Sequence, residues 1–313
     1  MEETIPKDNK KVIKQAVEIL NESGIIAFPT ETVYGLGASA YDDEAIKKIY
    51  KIKDRPRDNP LIIHVSKLHQ AYEIGIFNDI AKKLSENFWP GPLTLLVPLR
   101  DKRVSKIARA NLTTIGLRIP NHKTTLDILD LFGQAIAAPS ANLSGTVSAT
   151  SAKHVLDDFG NQIDLVIDNG KCKFGIESTI VDVRANQIVI LREGAITEDM
   201  LINCLNMEIM QYKESKIISP GQLEKHYAPK AEIRMNADTP NFDEFYISFG
   251  KDYPNKQSFN LSKCGDLYEA AKNLYSFLRT IDNMGFKKIA ISRIPNSGIG
   301  VAINDRLERA SKK

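Results

Sequence analysis

The 313-residue chain lacks what would mark a disulfide scaffold, a metal cage or a common nucleotide fold. Its three cysteines, Cys172, Cys204 and Cys264, stand far apart and form no C-x-x-C. That spacing excludes a zinc ribbon and a redox pair, and it points to reduced thiols in a cytoplasmic setting. The five histidines (His64, His69, His122, His154, His226) show no metal-ligand spacing. There is no G-x-x-x-x-G-K-[ST] phosphate loop, no G-x-G-x-x-G and no G-x-S-x-G elbow, so a nucleotide site here must be built from Arg, Lys and hydroxyls. Charge of one sign is also missing: a net charge of +3 gives no polybasic binder, and any basic surface must come from local clustering. The longest uncharged stretch, Leu131 to Ala152, is rich in Ser, Thr, Gly and Asn. Those polar groups would go unsatisfied in hydrocarbon, so it reads as no membrane span. Met1 to Lys11 is polar and charged and reads as no secretory signal.

What is present is an ordinary globular composition, long enough for two domains or one large one. Val12, Ala16, Val17 and Leu20 predict a helix over residues 10–22, ended at Gly24. Short apolar runs then recur at 24–28, 61–65, 93–99, 113–119, 135–138, 165–167, 179–183 and 188–191. Helical patterns fall at 43–51, 79–88, 123–131, 151–159 and 197–205. The mixture predicts an α/β domain with a large, partly mixed sheet. Residues 211–216 have no period and Ser219-Pro-Gly221 is a turn signal, so 208–231 reads as an ordered linker. Beyond it, strands at 244–249 and 288–292, a helix of nearly five turns from Leu267 to Met284, and a last helix at 301–309 predict a small β-α-β-α unit. The expected domains are therefore 1–207, the linker 208–231, and 232–313.

Several segments could carry chemistry. Pro29-Thr-Glu-Thr-Val-Tyr-Gly-Leu-Gly37 sets Thr30, Glu31, Thr32 and Tyr34 after a buried strand, as suits a small polar ligand, and its two glycines stand where backbone must approach something closely or turn; a Thr-rich strand with a Gly turn is the structural alternative. In Lys53-Asp-Arg-Pro-Arg-Asp-Asn-Pro60 the prolines favour extended backbone. Lys53, Arg55, Arg57 and Asn59 would then share one face, as an anion site or as a solvated loop. Ser140-Ala-Asn-Leu-Ser-Gly145 and Ser148-Ala-Thr150 offer uncharged donors, or cap the next helix. Glu177-Ser-Thr179 and Arg192 are weaker signals at strand ends, and His64 on its apolar strand reads as a core histidine. Arg118 lies inside a strand and is expensive to bury unpaired, whereas most cations between Arg100 and Lys123 read as a solvated face.

In order and spacing over about residues 10–207, these segments resemble the threonylcarbamoyl-AMP synthase (YrdC) family in its long two-domain form. Pro29–Gly37, Lys53-x-Arg55 with Pro60-Leu61, Ser140-Ala-Asn142 with Ser144, Ser148 and Thr150, Ser178-Thr179 and Arg192-x-Gly194 look like the family's motifs. Ser219–Pro229 looks like its S-P-G-x-x-x-x-H-Y-A-P linker. The resemblance implies an open, twisted mixed sheet with helices around a deep basic cavity, plus a small Rossmann-like C-terminal domain. It implies synthesis of threonylcarbamoyl-AMP and pyrophosphate from L-threonine, bicarbonate or CO2, and ATP, feeding threonylcarbamoylation of tRNA adenosine 37. Lys53 and Arg55 would be catalytic and bind ATP, with Asn59, Ser140, Asn142, Ser144, Arg192 and Tyr227. Thr32, Tyr34, His64, Arg118 and Ser178 would hold threonine and its carbamate. Mg2+ would ride on the phosphates and water, with no protein metal site. Partners would be these small molecules, a tRNA threonylcarbamoyl transferase complex, and RNA weakly if at all. The linker would close as a lid with Tyr227 over the nucleotide, or Tyr227 would pack between domains. Two rivals remain at this stage. One is an RNA-binding module with a basic concave face. The other is a carbamoyl-adenylate-forming enzyme of another pathway, such as hydrogenase maturation.

Overall fold

The computed structural model describes residues 10–185, 187–211, 218–222, 226–253 and 257–312. The expected linker therefore lies partly outside the described residues, at 212–217 and 223–225. The chain forms α1 (Lys10–Asn21), β1 (Ile26–Phe28), β2 (Gly35–Ser39), α2 (Asp43–Lys53), β3 (Ile62–His64), α3 (Leu68–Ile74) and α4 (Asp79–Phe88). It continues through β4 (Leu93–Pro98), β5 (Thr114–Arg118), α5 (Lys123–Phe132), β6 (Ile136–Ala138), α6 (Ala152–Phe159) and β7 (Leu165–Val166). Next come β8 (Thr179–Asp182), β9 (Ile188–Arg192), α7 (Glu198–Leu205) and β10 (Ile209–Gln211). These ten strands make one mixed sheet in the order β10-β9-β8-β4-β5-β3-β6-β2-β1-β7. Because β10 pairs with β9, the sheet runs past the expected boundary at 207.

The C-terminal unit is β11 (Glu232–Arg234), β12 (Phe245–Ser248), β13 (Ser258–Asn260), α8 (Leu267–Asn283), β14 (Lys288–Ile291) and α9 (Ile299–Ser311). Its sheet is all parallel, in the order β11-β14-β12-β13. The two strands expected there are β12 and β14; β11 and β13 are three-residue edge strands too short to show a period. No helix among the described residues is long and apolar enough to cross a membrane.

Alternation along the strands assigns the two faces of the large sheet. Ile63, Leu95, Val97, Leu117 and Val181 face a core shared with α2, α3 and α4. On the opposite face Ile26, Phe28, Ile136 and Ala138 receive Val12, Ala16 and Leu20 of α1, with Ile128, Leu129 and Phe132 of α5. The helices α1 and α5 cover only one end of that face. Ile62 and His64 of β3 lie on the part they leave open, and there the cavity forms.

Gly35 and Gly37 form no turn. They sit in β2, antiparallel to β1, and the Phe28 ring fills the space where their side chains would be. A Cβ on Gly37 would stand 2.5 Å from Phe28 Cε1 and 2.7 Å from Ile136 Cγ2. Overpacking of this kind costs about 1–3 kcal/mol. Gly37→Ala should therefore lower the free energy of unfolding in urea by about that amount; an unchanged midpoint would show that the Phe28 ring can give way.

Candidate active site

The cavity encloses about 520 Å³, including the part open to solvent. Its wall is assembled from strand ends and the loops that follow them. The β1–β2 connection brings Thr30, Thr32 and Tyr34, and His64 and Arg118 come from the last positions of β3 and β5. These two strands are parallel, with His64 opposite Arg118. Ser140 follows β6, Glu177 and Ser178 precede β8, Arg192 ends β9, and Arg55 follows α2.

The extended strip expected of Lys53, Arg55, Arg57 and Asn59 does not form. The helix α2 runs through Lys53, Asp54 closes it in the left-handed region at φ 51°, and a turn follows, with Asn59 N donating to Pro56 O. Lys53, Arg55 and Asn59 are buried and Arg57 is exposed. Arg55 lines the cavity, held by Nε to Asn59 O (3.0 Å) and by Nη2 to Asn59 Oδ1 (2.6 Å) and Pro60 O (2.8 Å). Asn59 is thus the anchor of Arg55 and not itself part of the wall. Lys53 is also outside the wall. Its ammonium donates to Ser140 O at 2.7 Å and to Asn142 O, pinning the Ser-Ala-Asn turn. Burial, reinforced by Arg55, pushes its pKa well down. Asn142 closes the same turn through Nδ2 to Leu143 O and Thr146 O. The half-buried Ser144 contributes its N–H to Lys53 O.

Arg118 is not unpaired. Its Nη2 lies 2.8 Å from Glu31 Oε1, both side chains being 4% exposed, and Nε reaches Gly91 O. The Glu31 carboxylate was quoted in its motif without a role, and only the fold shows that it faces the buried cation. The expected solvated face also needs correcting at Arg109, which is buried and donates to Leu112 O. Arg192 spends Nε on Ser178 O (2.9 Å) and Nη2 on Ser178 Oγ (3.0 Å), so one arginine fixes both polar groups of that serine. Burial first, and the neighbouring guanidiniums after it, lower the pKa values of Arg55 and Arg192. These are cations crowded into a partly dry site.

His64 is packed edge-on to Phe28. Burial, with Arg118 beside it, pushes its pKa down to about 3, so the imidazole is neutral near pH 7. Tyr34 Oη donates to Gly170 O at 2.9 Å. Thr32 Oγ1 lies 2.8 Å from Thr30 Oγ1, which in turn donates to Val33 O.

The linker reaches the site through residues other than the one expected. Pro220, Gly221 and His226 line the cavity. Gly221 has φ +86°, and a Cβ there would lie 2.6 Å from Arg192 Cδ, so only glycine lets this turn lie on Arg192. Tyr227 is the correction. Its ring does not line the cavity but stacks on Tyr275 (6.0 Å, 21°) beneath the Arg306 guanidinium at 4.8 Å, in a core that Val33, Val147 and Ile176 of the large unit share with the C-terminal unit, which is the alternative of packing between domains. In the cavity wall His64 Nδ1 and His226 Nδ1 are buried with no hydrogen-bond partner among the described residues. Unmet polar atoms in a cavity wall mark a ligand site.

Residues 18–194 match the Sua5–YciO–YrdC family model, described as Telomere recombination. Residues 196–312 match the model described as Threonylcarbamoyl-AMP synthase, C-terminal domain. The chain is 35% identical to threonylcarbamoyl-AMP synthase of Bacillus subtilis, over 97% of this chain and 94% of that one. It is 36% identical to that of Pyrococcus abyssi, over 96% and 94%. A crystal structure of P. abyssi Sua5 complexed with L-threonine superposes with a TM-score of 0.90 at 34% identity, covering 98% of this chain and 96% of that one.

Proposed function

This chain belongs to the Sua5/YrdC family of threonylcarbamoyl-AMP synthases, and from that premise we propose how its cavity performs the synthesis. The enzyme joins L-threonine, bicarbonate or CO2, and ATP into threonylcarbamoyl-AMP and pyrophosphate. The observation that carries the assignment is the convergence of Arg55, Arg118 and Arg192 with Thr32, Ser140 and Ser178 on one cavity. A carbamate oxygen of threonine must attack the α-phosphorus, so two anions are brought together. Fixed positive charge in a partly dry site offsets their repulsion and stabilises the charge that develops on pyrophosphate.

Arg118, steadied by Glu31, takes the threonine carboxylate, with Thr32, Tyr34, His64 and Ser178 around the amino acid. A neutral imidazole with so low a pKa hydrogen-bonds but is a poor base, in keeping with a reaction that rests on positioning. Arg55 and Arg192 take the phosphates, with Ser140. Lys53, Asn59, Asn142 and Ser144 hold those groups in place. A divalent metal accompanies ATP in such enzymes. We take it to be Mg2+ on the triphosphate and water, since the described residues include no group of three or more His, Cys, Asp or Glu able to hold a metal. The linker residues Pro220, Gly221 and His226 shield the product from water. The product then passes to a tRNA threonylcarbamoyl transferase. The free Cys172, Cys204 and Cys264 suit a reducing, cytoplasmic setting.

Pyrophosphate release should require threonine, bicarbonate and ATP together; release with ATP alone, undiminished when threonine is omitted, would refute the assignment. Serine lacks only the threonine methyl, worth about 1–3 kcal/mol in an apolar pocket. Its kcat/KM should be lower by about 10- to 200-fold, measured in the same assay; equal values would remove the proposed pocket.

A further inference from the structure

Glu177 is the one carboxylate among the described residues lining the cavity. A free anion there would oppose the binding of a triphosphate and of threonine carbamate. It is not free. Its Oε1 accepts from Ser148 Oγ at 2.5 Å, and its Oε2 from Tyr275 Oη at 3.0 Å and Arg306 Nε at 2.8 Å. Tyr275 lies on α8 and Arg306 on α9, so the C-terminal unit supplies two of the three donors. Arg306 is 1% exposed, spans the boundary with Nη2 on Glu193 O at 2.7 Å, and covers the Tyr227 ring. Burial alone would raise the Glu177 pKa; Arg306, Arg192 and the Ser148 hydroxyl outweigh it and hold the carboxyl at about 2. The group is therefore a full anion at working pH, one residue before Ser178 and within the field of Arg192.

We propose that Arg306 and Tyr275 are positioning residues for the reaction: by neutralising and orienting Glu177, the C-terminal unit leaves Arg192, with the Ser178 it holds, free to act on the phosphates. The inference rests on the synthase reading. A simple tie between domains would predict something different: its loss, and its repair by Glu177→Gln, would show in the free energy of unfolding and not as a selective rise in KM for ATP. The repulsion of a triphosphate and of threonine carbamate vanishes when Glu177 becomes neutral, and a buried ion pair can be replaced by neutral groups without loss of the fold.

The test uses the full chain and five variants: Arg306→Met, Glu177→Gln, the double variant of these two, Tyr275→Phe, and Tyr275→Phe in the Glu177→Gln background. Steady-state pyrophosphate release gives KM for ATP and kcat. Equilibrium binding of an ATP analogue with a methylene bridge between the α- and β-phosphorus reads the site without turnover. Arg306→Met should raise KM for ATP and the analogue Kd at least 10-fold, with kcat changed less than threefold. Glu177→Gln should hold ATP at least as tightly as the parent. The double variant should return to within threefold of Glu177→Gln. An Arg306→Met protein with parental KM, or a folded double variant as poor as Arg306→Met, would overturn the proposal. Should Arg306→Met fail to fold, Tyr275→Phe decides, since it keeps the ring and removes one donor. A two- to fivefold rise in KM for ATP, absent in the Glu177→Gln background, supports the proposal, and no rise refutes it. A parent chain that neither releases pyrophosphate nor binds the analogue would instead overturn the synthase reading itself.

Discussion

At pH 5 the protein should be less stable than at pH 7.5 by about 4 kcal/mol, a large part of the ~5–15 kcal/mol typical of a folded domain. Two buried imidazoles in the cavity wall account for that amount, and His154, which burial holds at about 4, adds to it in the same direction. Burial, with Arg118 adding to it, holds His64 at about 3. Burial also holds His226 at about 3, with Arg55 and Lys53 adding to it and Glu177 opposing. In the unfolded chain both titrate near 6.5. Between those values the unfolded state binds protons that the folded state refuses, so stability falls as pH falls through 6.5 towards 3. Each group contributes about 1.36 kcal/mol per pH unit below 6.5, or about 2 kcal/mol at pH 5. Glu177 acts in the same direction over a lower window, from about 4.5 down to about 2. Urea unfolding at the two pH values measures the difference. His226→Gln should remove about 2 kcal/mol of it, whatever that variant does to stability at pH 7.5. Equal unfolding free energies at pH 5 and 7.5 would mean that both rings are protonated in the folded state.

The same cavity shows what a sequence makes legible. Apolar runs bounded by Pro and Gly set the strands and put Arg192 at a strand end; His64 and Arg118 read as strand-interior residues, and the shorter β3 and β5 bring them to the ends, where side chains converge. The faces of β3 and β5 follow from alternation alone. The partners of these residues were not legible. Glu177 meets Arg306 across 129 positions, and Arg118 of β5 meets Glu31 of the β1–β2 connection, so no local period connects either pair. Gly35 and Gly37 read as a turn or as a close approach of backbone, and only the Phe28 ring that needs the space decides for the second. Tyr227 carried two readings, over the nucleotide or between the domains. An amphipathic ring in a linker can serve either side, and its place against Tyr275 and Arg306 depends on a helix packing that spacing does not reveal. The short α3 has Lys67 as its N-cap, a residue that gives no start signal.

Arg55→Ala should lower kcat/KM for ATP by about 10²- to 10³-fold, whereas Arg57→Ala, two residues on, should change it by less than about twofold. Sequence spacing put both on one face; the left-handed Asp54 separates them, leaving Arg55 8% exposed and Arg57 on the surface. A hydrogen bond to a charged group contributes about 1.5–3 kcal/mol, and two phosphate contacts through a forked guanidinium account for about 3–4 kcal/mol, or two to three powers of ten. Loss of the side chain also strips Asn59 O, Asn59 Oδ1 and Pro60 O of their donor, so the turn that carries the site loosens. Arg55→Lys separates the two effects. It keeps the charge but cannot span Asn59 and a phosphate at once, and should recover only about one power of ten. Arg103→Ala, on the exposed side chain paired with Asp101, serves as the control for general loss of positive charge. Initial rates of pyrophosphate release at varied ATP, with threonine and bicarbonate saturating, give all four values. Similar losses for Arg55→Ala and Arg57→Ala would mean that the net positive charge of the loop, and not the buried fork, is what ATP recognises.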